Sequence, residues 1–153
     1  MKKFATVLTA IVMLFATSSF AMDGDNVTAK VKAAFESDFS KAKQVNWKKD
    51  SDFYFASFQL NDATVDAAYN EDGELIGLSR KIATDQVPLT VSLALSQKYA
   101  GYSISEKTVE INFEGQTCYY ITADNGKQVV SLKCYTNGDI DVESKAKKEP
   151  VRS

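Results

Sequence analysis

The chain of 153 residues contains no histidine, and that gap removes more chemistry than any residue present supplies. Ser–His triads, Cys–His dyads, histidine-bearing zinc sites and histidine proton shuttles are excluded, so catalysis would have to run on carboxylates, Lys, Tyr or Cys alone. Strong net charge is missing too. The first 21 residues have the character of a removable leader, and without them the chain loses Lys2 and Lys3 and keeps 132 residues with 16 basic and 20 acidic side chains, a formal charge of -4. So mild a balance gives no footprint for a polyanion, and no nucleic acid partner is expected. Nothing in the sequence asks for a cofactor.

The long apolar run stands at the start. In "MKKFATVLTAIVMLFATSSFAMDGD", Lys2 and Lys3 precede an apolar stretch from Phe4 to about Phe15, followed by small residues at Ser19 and Ala21. This is the order of a secretory signal peptide, residues 1–21, with cleavage after Ala21. A retained anchor is the competing reading, but Thr6, Thr9, Thr17, Ser18 and Ser19 dilute the run and polar "MDGDN" comes directly after it. The expectation is therefore export, without a stable membrane anchor after cleavage. No cysteine stands at the cleavage point to carry a lipid.

Beyond the signal the chain reads as layers. Val27, Val31, Phe35 and Phe39 fall four apart and line one helical face, with Asp25 or Asn26 available as its cap. Strand alternation then takes over: Val45 and Trp47; Tyr54, Ala56, Phe58 and Leu60 against Phe53, Phe55, Ser57 and Gln59; Val65, Ala67 and Tyr69; and Leu75, Ile76 and Leu78, with turns at "LND" and "NEDG". The pattern begins again at "VPLTVSLALSQKYAGYSI", where Pro88 suits a helix start, Val91, Leu95 and Tyr99 fall four apart and Gly101 suits a stop. "TVEINFE", "TCYYITA", "KQVVSLKCY" and a last strand with Ile140 and Val142 complete the set. The expected fold class is α+β, two tandem repeats over 22–85 and 86–143, each a helix packed on a roughly four-stranded antiparallel sheet. In that alignment Phe35 matches Leu95, Phe39 matches Tyr99, Tyr69 matches Tyr135 and Gly73 matches Gly138. The charged segment 144–153 reads as a flexible tail.

The segments "AAF" and "F" ahead of "VNW", then "FYFASF", "AYNEDGELI" and "VPLTVSLALSQKYAGYSISE" resemble the PepSY-like exported proteins of the Bacteroidetes type, whose fold is similar to that of the β-lactamase inhibitor protein. The likeness covers residues 27 to 143 and rests on diffuse apolar and turn positions, so it speaks to architecture more than activity. It implies tandem units, a periplasmic or exported location, and binding of a peptide or protein rather than catalysis, since PepSY modules are proposed to restrain peptidases. It supplies no catalytic residues.

Four constellations are candidates for function. Cys118 and Cys134 would lie on opposite faces if Asn125–Gly126 forms a two-residue turn; a bulged turn taking in Asp124 would flip parity and allow a disulfide. "NEDG" has Asn70, Asp72 and Gly73 at calcium-loop positions, but Ala68 and Ser79 stand where the strong carboxylates belong, so a hairpin turn is the better reading. Asp62 and Asp66 form a carboxylate pair on paper, better explained as solvated side chains. The positive candidate is the sheet face away from the helices: period-two alternation turns Phe53, Phe55, Ser57 and Gln59 outward, where two phenylalanines need cover from a partner, the second repeat or a loop. The expected function is a non-enzymatic binding module for an envelope protein or peptide. Two alternatives stand beside it: a carrier of a small hydrophobic ligand in an enclosed cavity between sheet and helices, and a carboxylate-based hydrolase.

Overall fold

The computed structural model describes residues 26–148; the expected signal peptide lies outside them. The order is α1 (Ala29–Asp38), β1 (Lys43–Asp50), β2 (Phe53–Leu60), β3 (Ala63–Asn70), β4 (Leu75–Ala83), a 3₁₀ turn (Thr84–Gln86), α2 (Leu89–Lys98), β5 (Ser103–Ile104), β6 (Lys107–Phe113), β7 (Gln116–Asp124), β8 (Gln128–Tyr135) and β9 (Ile140–Lys147). The chain divides into two compact units between Arg80 and Lys81.

In the first unit Thr28, rather than Asn26, caps α1: its side chain accepts from Val31 N at 3.3 Å. The four-residue spacing then delivers Val31 and Phe35 into a core with Trp47, Tyr54, Ala56, Phe58, Ala67 and Tyr69. Phe35 is its hub, meeting Trp47 edge-on at 5.1 Å and Phe58 at 5.0 Å between ring centroids, the arrangement that ring quadrupoles favour. Two-residue turns join β1 to β2 at Ser51–Asp52 and β2 to β3 at Asn61–Asp62. Asn61 and Asp62 both take positive φ, 49° and 64°, as a type I′ hairpin requires.

In the second unit Pro88 sits at the N-cap of α2, where its missing N–H costs nothing. Val91 and Leu95 pack on Tyr119, Ile121, Ala123, Val130, Leu132 and Cys134. The loop between the paired residues Asp124 and Val129 holds residues 125 to 128, not two, with Asn125 Oδ1 accepting from Lys127 N and Gln128 N. The register therefore moves by two positions, which preserves parity. Cys134 enters the helix-side core, Cys118 faces the other way, and both are free thiols.

The fold class differs from expectation. Instead of two helix-plus-four-strand repeats with separate sheets, the strands belong to one nine-stranded antiparallel sheet, in the order β1-β2-β3-β4-β6-β7-β8-β9, with β5 paired to β7 off that path. Side-chain alternation reports which face of a strand is buried and is silent on which backbone it pairs with. An outer strand left open is a liability that pairing removes. The expected tail also changes, because β9 continues through Lys147 with Gln128 opposite it. Charged side chains do not prevent a ladder held by backbone groups, and lysines suit a sheet edge.

The alignment of tyrosines shifts by one. Asn70 N donates to Glu74 O and Gly73 N to Asn70 O, while Tyr135 N donates to Asp139 O and Gly138 N to Tyr135 O. The turn that Asn70 opens is thus opened by Tyr135 in the second unit, and Tyr69 has Cys134 as its counterpart. In both turns the glycine lies against a first-turn helix carbonyl: a Cβ would stand 3.2 Å from Lys30 O at Gly73 and 3.2 Å from Thr90 O at Gly138.

Candidate binding face

Strand β2 decides where each side chain of the first unit goes. Tyr54, Ala56 and Phe58, at 2 %, 0 % and 1 % exposure, lie in the α1 core. Phe53, Phe55, Ser57 and Gln59 alternate with them and point to the other face. Across β1 and β3 the pairs on that face are Lys48 and Ala68 with Phe55, Asn46 and Asp66 with Ser57, and Thr64 with Gln59. Gly77 and Ser79 of β4 extend the same rows beyond Ala68 and Asp66. Small residues beside Phe55 give the face a shallow floor.

The four candidates are not alike. Phe55 is 7 % exposed, yet it stands outside the α1 core. Phe53, Ser57 and Gln59 are half-buried. Gln59 Nε2 donates to Thr64 Oγ1 at 2.8 Å, which holds the amide across the hairpin.

A second group, within the second unit, is not among the residues that the sequence pattern singled out. In the second unit Cys118 and Tyr120 of β7 face away from α2, and register sets Tyr135 beside Cys118 and Lys133 beside Tyr120. Lys133 is only 8 % exposed; its ammonium lies 5.1 Å from the Tyr135 ring centroid, a cation–π arrangement. The Tyr135 hydroxyl donates to Asp141 Oδ2 at 3.0 Å. Burial, with the neighbouring Cys118 and Glu143, pushes the Tyr120 phenol well above its usual range. Burial also raises the Cys118 thiol against the opposing pull of Lys133. Both groups keep their protons to higher pH than they would in water. The alternation that placed Tyr119 and Ile121 in the core contained this signal, since its complement is Cys118 and Tyr120.

The remaining candidates resolve locally. Asn70 Oδ1 accepts from Asp72 N and Glu74 N, at 3.0 and 2.9 Å, and Asn70 Nδ2 donates to Glu74 Oε2 at 2.6 Å, so "NEDG" is a hairpin turn closed by Asn70, while its Glu71 and Asp72 carboxylates pair with Lys49 and Lys30. Among the described residues no three His, Cys, Asp or Glu side chains gather as a metal site. Asp62 sits in the turn and Asp66 in β3, four residues and roughly 13 Å further along at the rise of a strand, so the structure does not bring them together.

A cavity of about 530 Å³ opens beside α1 and β1, lined by Phe35, Phe39, Ala42, Val45 and Trp47 with Lys32, Glu36 and Ser40. It is a surface groove, whereas a carrier of a small hydrophobic ligand needs an enclosed space. No helix among the described residues is long and apolar enough to cross a membrane.

No family model matches the chain, and no curated protein matches it. Solved structures do. A DUF2874 family protein from Bacteroides ovatus superposes with a TM-score of 0.66 at 22 % identity over 81 % of this chain and 89 % of the other. A BLIP-like protein from Bacteroides fragilis gives 0.65 at 15 % identity over 82 % and 91 %. A protein from Bacteroides eggerthii described as a candidate periplasmic protein gives 0.65 at 19 % identity over 84 % and 90 %. At these identities the likeness is one of fold alone.

Proposed function

We propose that this chain is an exported, non-enzymatic binding module that recognises a peptide or protein through the sheet face turned away from its helices, with Phe53, Phe55, Ser57 and Gln59 at the contact. The observation that carries the reading is the strict alternation of β2. Tyr54, Ala56 and Phe58 satisfy α1, which leaves an aromatic and amide row on the opposite side with no helix of its own unit to serve. Phe53, a half-buried aromatic beside polar Ser57 and Gln59 and the buried Phe55, has the composition from which interface anchors are drawn. The charged, apolar and small-residue order of the first 21 residues supports export, and the fold shared with the Bacteroides eggerthii protein agrees with a periplasmic setting. Restraint of a peptidase, the role proposed for PepSY modules, is the finer form of the same reading. The protonated state favoured for Cys118 and Tyr120 and the separation of Asp62 from Asp66 support a role without catalysis.

The test is recovery of partners from cell-envelope extract by the protein and by its Phe53→Ala and Ser57→Arg variants, after equal thermal unfolding has shown that each folds. Loss of a hot-spot aromatic costs about tenfold or more in affinity, so both variants should lose the partners that the unaltered protein retains. Equal recovery by all three would remove this face from consideration.

A further inference from the structure

Two asparagines of the chain are followed by glycine, Asn125 before Gly126 and Asn137 before Gly138. In such a pair the backbone nitrogen of the glycine can attack the side-chain carbonyl carbon of the asparagine, because glycine has no Cβ to obstruct the approach. Both asparagines are exposed, so access of water does not separate them. Their hydrogen bonds do. In the hairpin between β7 and β8, Asn125 Oδ1 accepts from Lys127 N at 3.0 Å and from Gln128 N at 2.9 Å. Gly126 N, the attacking atom, donates to Asp124 Oδ1 at 2.7 Å. The Lys148 ammonium pairs with the other oxygen of that carboxylate; this bond first, then the one from Gly126, holds the Asp124 carboxyl below its usual range. A Cβ at Gly126 would meet nothing within 4 Å, so the turn has room to move.

At Asn137 the same atoms are committed elsewhere. Gly138 N closes the hairpin by donating to Tyr135 O at 2.9 Å. Asn137 Nδ2, which would have to leave, donates to Asp139 Oδ2 at 2.7 Å, and Asn137 Oδ1 accepts from Asp139 N at 3.0 Å. Thr90 Oγ1 donates to Thr136 O at 2.6 Å, and Gly138 lies against Thr90 O. Swinging this peptide toward the side chain would break the hairpin bond and press the turn into α2.

We propose that Asn125 is a self-modification site, converted to aspartate and isoaspartate through a cyclic imide that its own hairpin assembles, while Asn137 is protected. The Asp124 carboxylate takes the proton of Gly126 N as that nitrogen bonds to Asn125 Cγ, and the negative charge that develops on Oδ1 lies between the N–H groups of Lys127 and Gln128. The Cγ–Nδ2 bond then breaks, and Nδ2 leaves with the transferred proton as ammonia. Water opens the imide at either carbonyl, so the net change is one water consumed, one ammonia released and one carboxylate gained. Opening at the backbone carbonyl gives isoaspartate, which carries the chain through the side chain and removes the acceptor of Lys127 N and Gln128 N. The edge strand β9 is tied to the same turn, since Lys148 N donates to Lys127 O at 2.9 Å.

The test is incubation of the purified protein at pH 8, followed over time by peptide mapping for the one-dalton mass gain and by enzymatic methylation of isoaspartate. Synthetic peptides of residues 122–128 and 135–140 give the rate of each pair without the fold. Asn125 should convert in the folded protein at least as fast as in its peptide, and Asn137 at least about tenfold more slowly than in its own, because its turn must open first. Asp124→Ala should slow Asn125 about tenfold in the protein and by less than about twofold in the peptide, where no turn positions the carboxylate. Lys148→Ala, which removes the ion pair alone, should not slow it. Unfolding midpoints close to the unaltered protein's verify that both variants fold. The proposal is overturned if Asn125 converts more slowly in the folded protein than in its peptide, if Asn137 keeps pace with Asn125, if Asp124→Ala leaves the rate unchanged or raises it, or if Lys148→Ala slows conversion as much as Asp124→Ala.

Discussion

Tyr69 shows how much one side chain ties together. It is fully buried, and its hydroxyl reaches Asp38 Oδ2 on the last turn of α1 at 2.8 Å, pinning the helix to β3. Burial first, then the hydrogen bond to Asp38, lifts its phenol far above the ordinary 10. Its counterpart Cys134 is raised by burial from 9.0 to about 11. In both cases the folded state holds the proton to higher pH than the unfolded chain. Their stabilisation is thus complete at neutral pH and is lost as pH climbs, from about 9 for Cys134 and from about 10 for Tyr69. Tyr69→Phe should cost about 1–2 kcal/mol at pH 7, the worth of one partly screened bond to a carboxylate, and should flatten the fall in urea midpoint above pH 10. Parallel pH curves for the two proteins would contradict this account. Glu114 gives the opposite sign. It holds a φ of 48° in the two-residue turn before Gly115, a region that a non-glycine residue enters at a cost of about 1 kcal/mol. Glu114→Asn should raise the urea-derived stability by roughly 0.5–1 kcal/mol, since Asn-Gly is the preferred pair for this turn.

At the scale of elements, the parts with a period were legible in the sequence. The four-residue spacing located α1 and α2, and alternation assigned Tyr54, Ala56 and Phe58 to the core and Phe53, Phe55, Ser57 and Gln59 to the opposite face. What has no period was not legible. The bulges at Lys43/Asn46 and Ala68/Tyr69 come from backbone adjustment against a neighbouring strand. The residue-by-residue match of Tyr69 to Tyr135 failed because likeness of side chains is a poorer guide than the hydrogen bonds of the turn. The glycines were matched correctly for a physical reason: each lets a hairpin turn approach the first turn of a helix. Gly73→Ala, with φ 75° and a Cβ 3.2 Å from Lys30 O, should cost about 2–3 kcal/mol, combining backbone strain and displacement of the helix. Gly101→Ala has a similar φ of 82° but nothing within 4 Å, so it should cost only about 1 kcal/mol. Equal losses in urea unfolding would mean that close packing of turn on helix contributes nothing.

At the scale of the whole molecule, the sequence divided correctly into helical and strand segments yet could not reveal their assembly, because pairing between strands is written in backbone groups that every residue carries. Lys133 and Tyr135 escaped notice as neighbours of Tyr120 and Cys118 for a related cause: their adjacency depends on a loop two residues wider than the Asn125–Gly126 turn suggested. A sheet of nine strands also poses a problem that isolated hairpins do not, since both of its ends must resist further pairing. β1 carries Lys43, Lys48 and Lys49, and β9 carries Lys145 and Lys147, with every residue of β9 after Ile140 exposed. Such lysines discourage a second chain from adding to the ladder, because its strand would bring like charges into register and bury ammonium groups. If that is their role, Lys145→Val/Lys147→Val should leave the unfolding midpoint within about 0.5 kcal/mol of the unaltered protein, as surface changes usually do. The same variant should shift toward larger species with rising concentration in light scattering. Unchanged scattering would show that β9 resists pairing by some other means, its twist or the ion pair between Lys148 and Asp124 being the nearest available, and Lys148→Ala would then become the variant that associates.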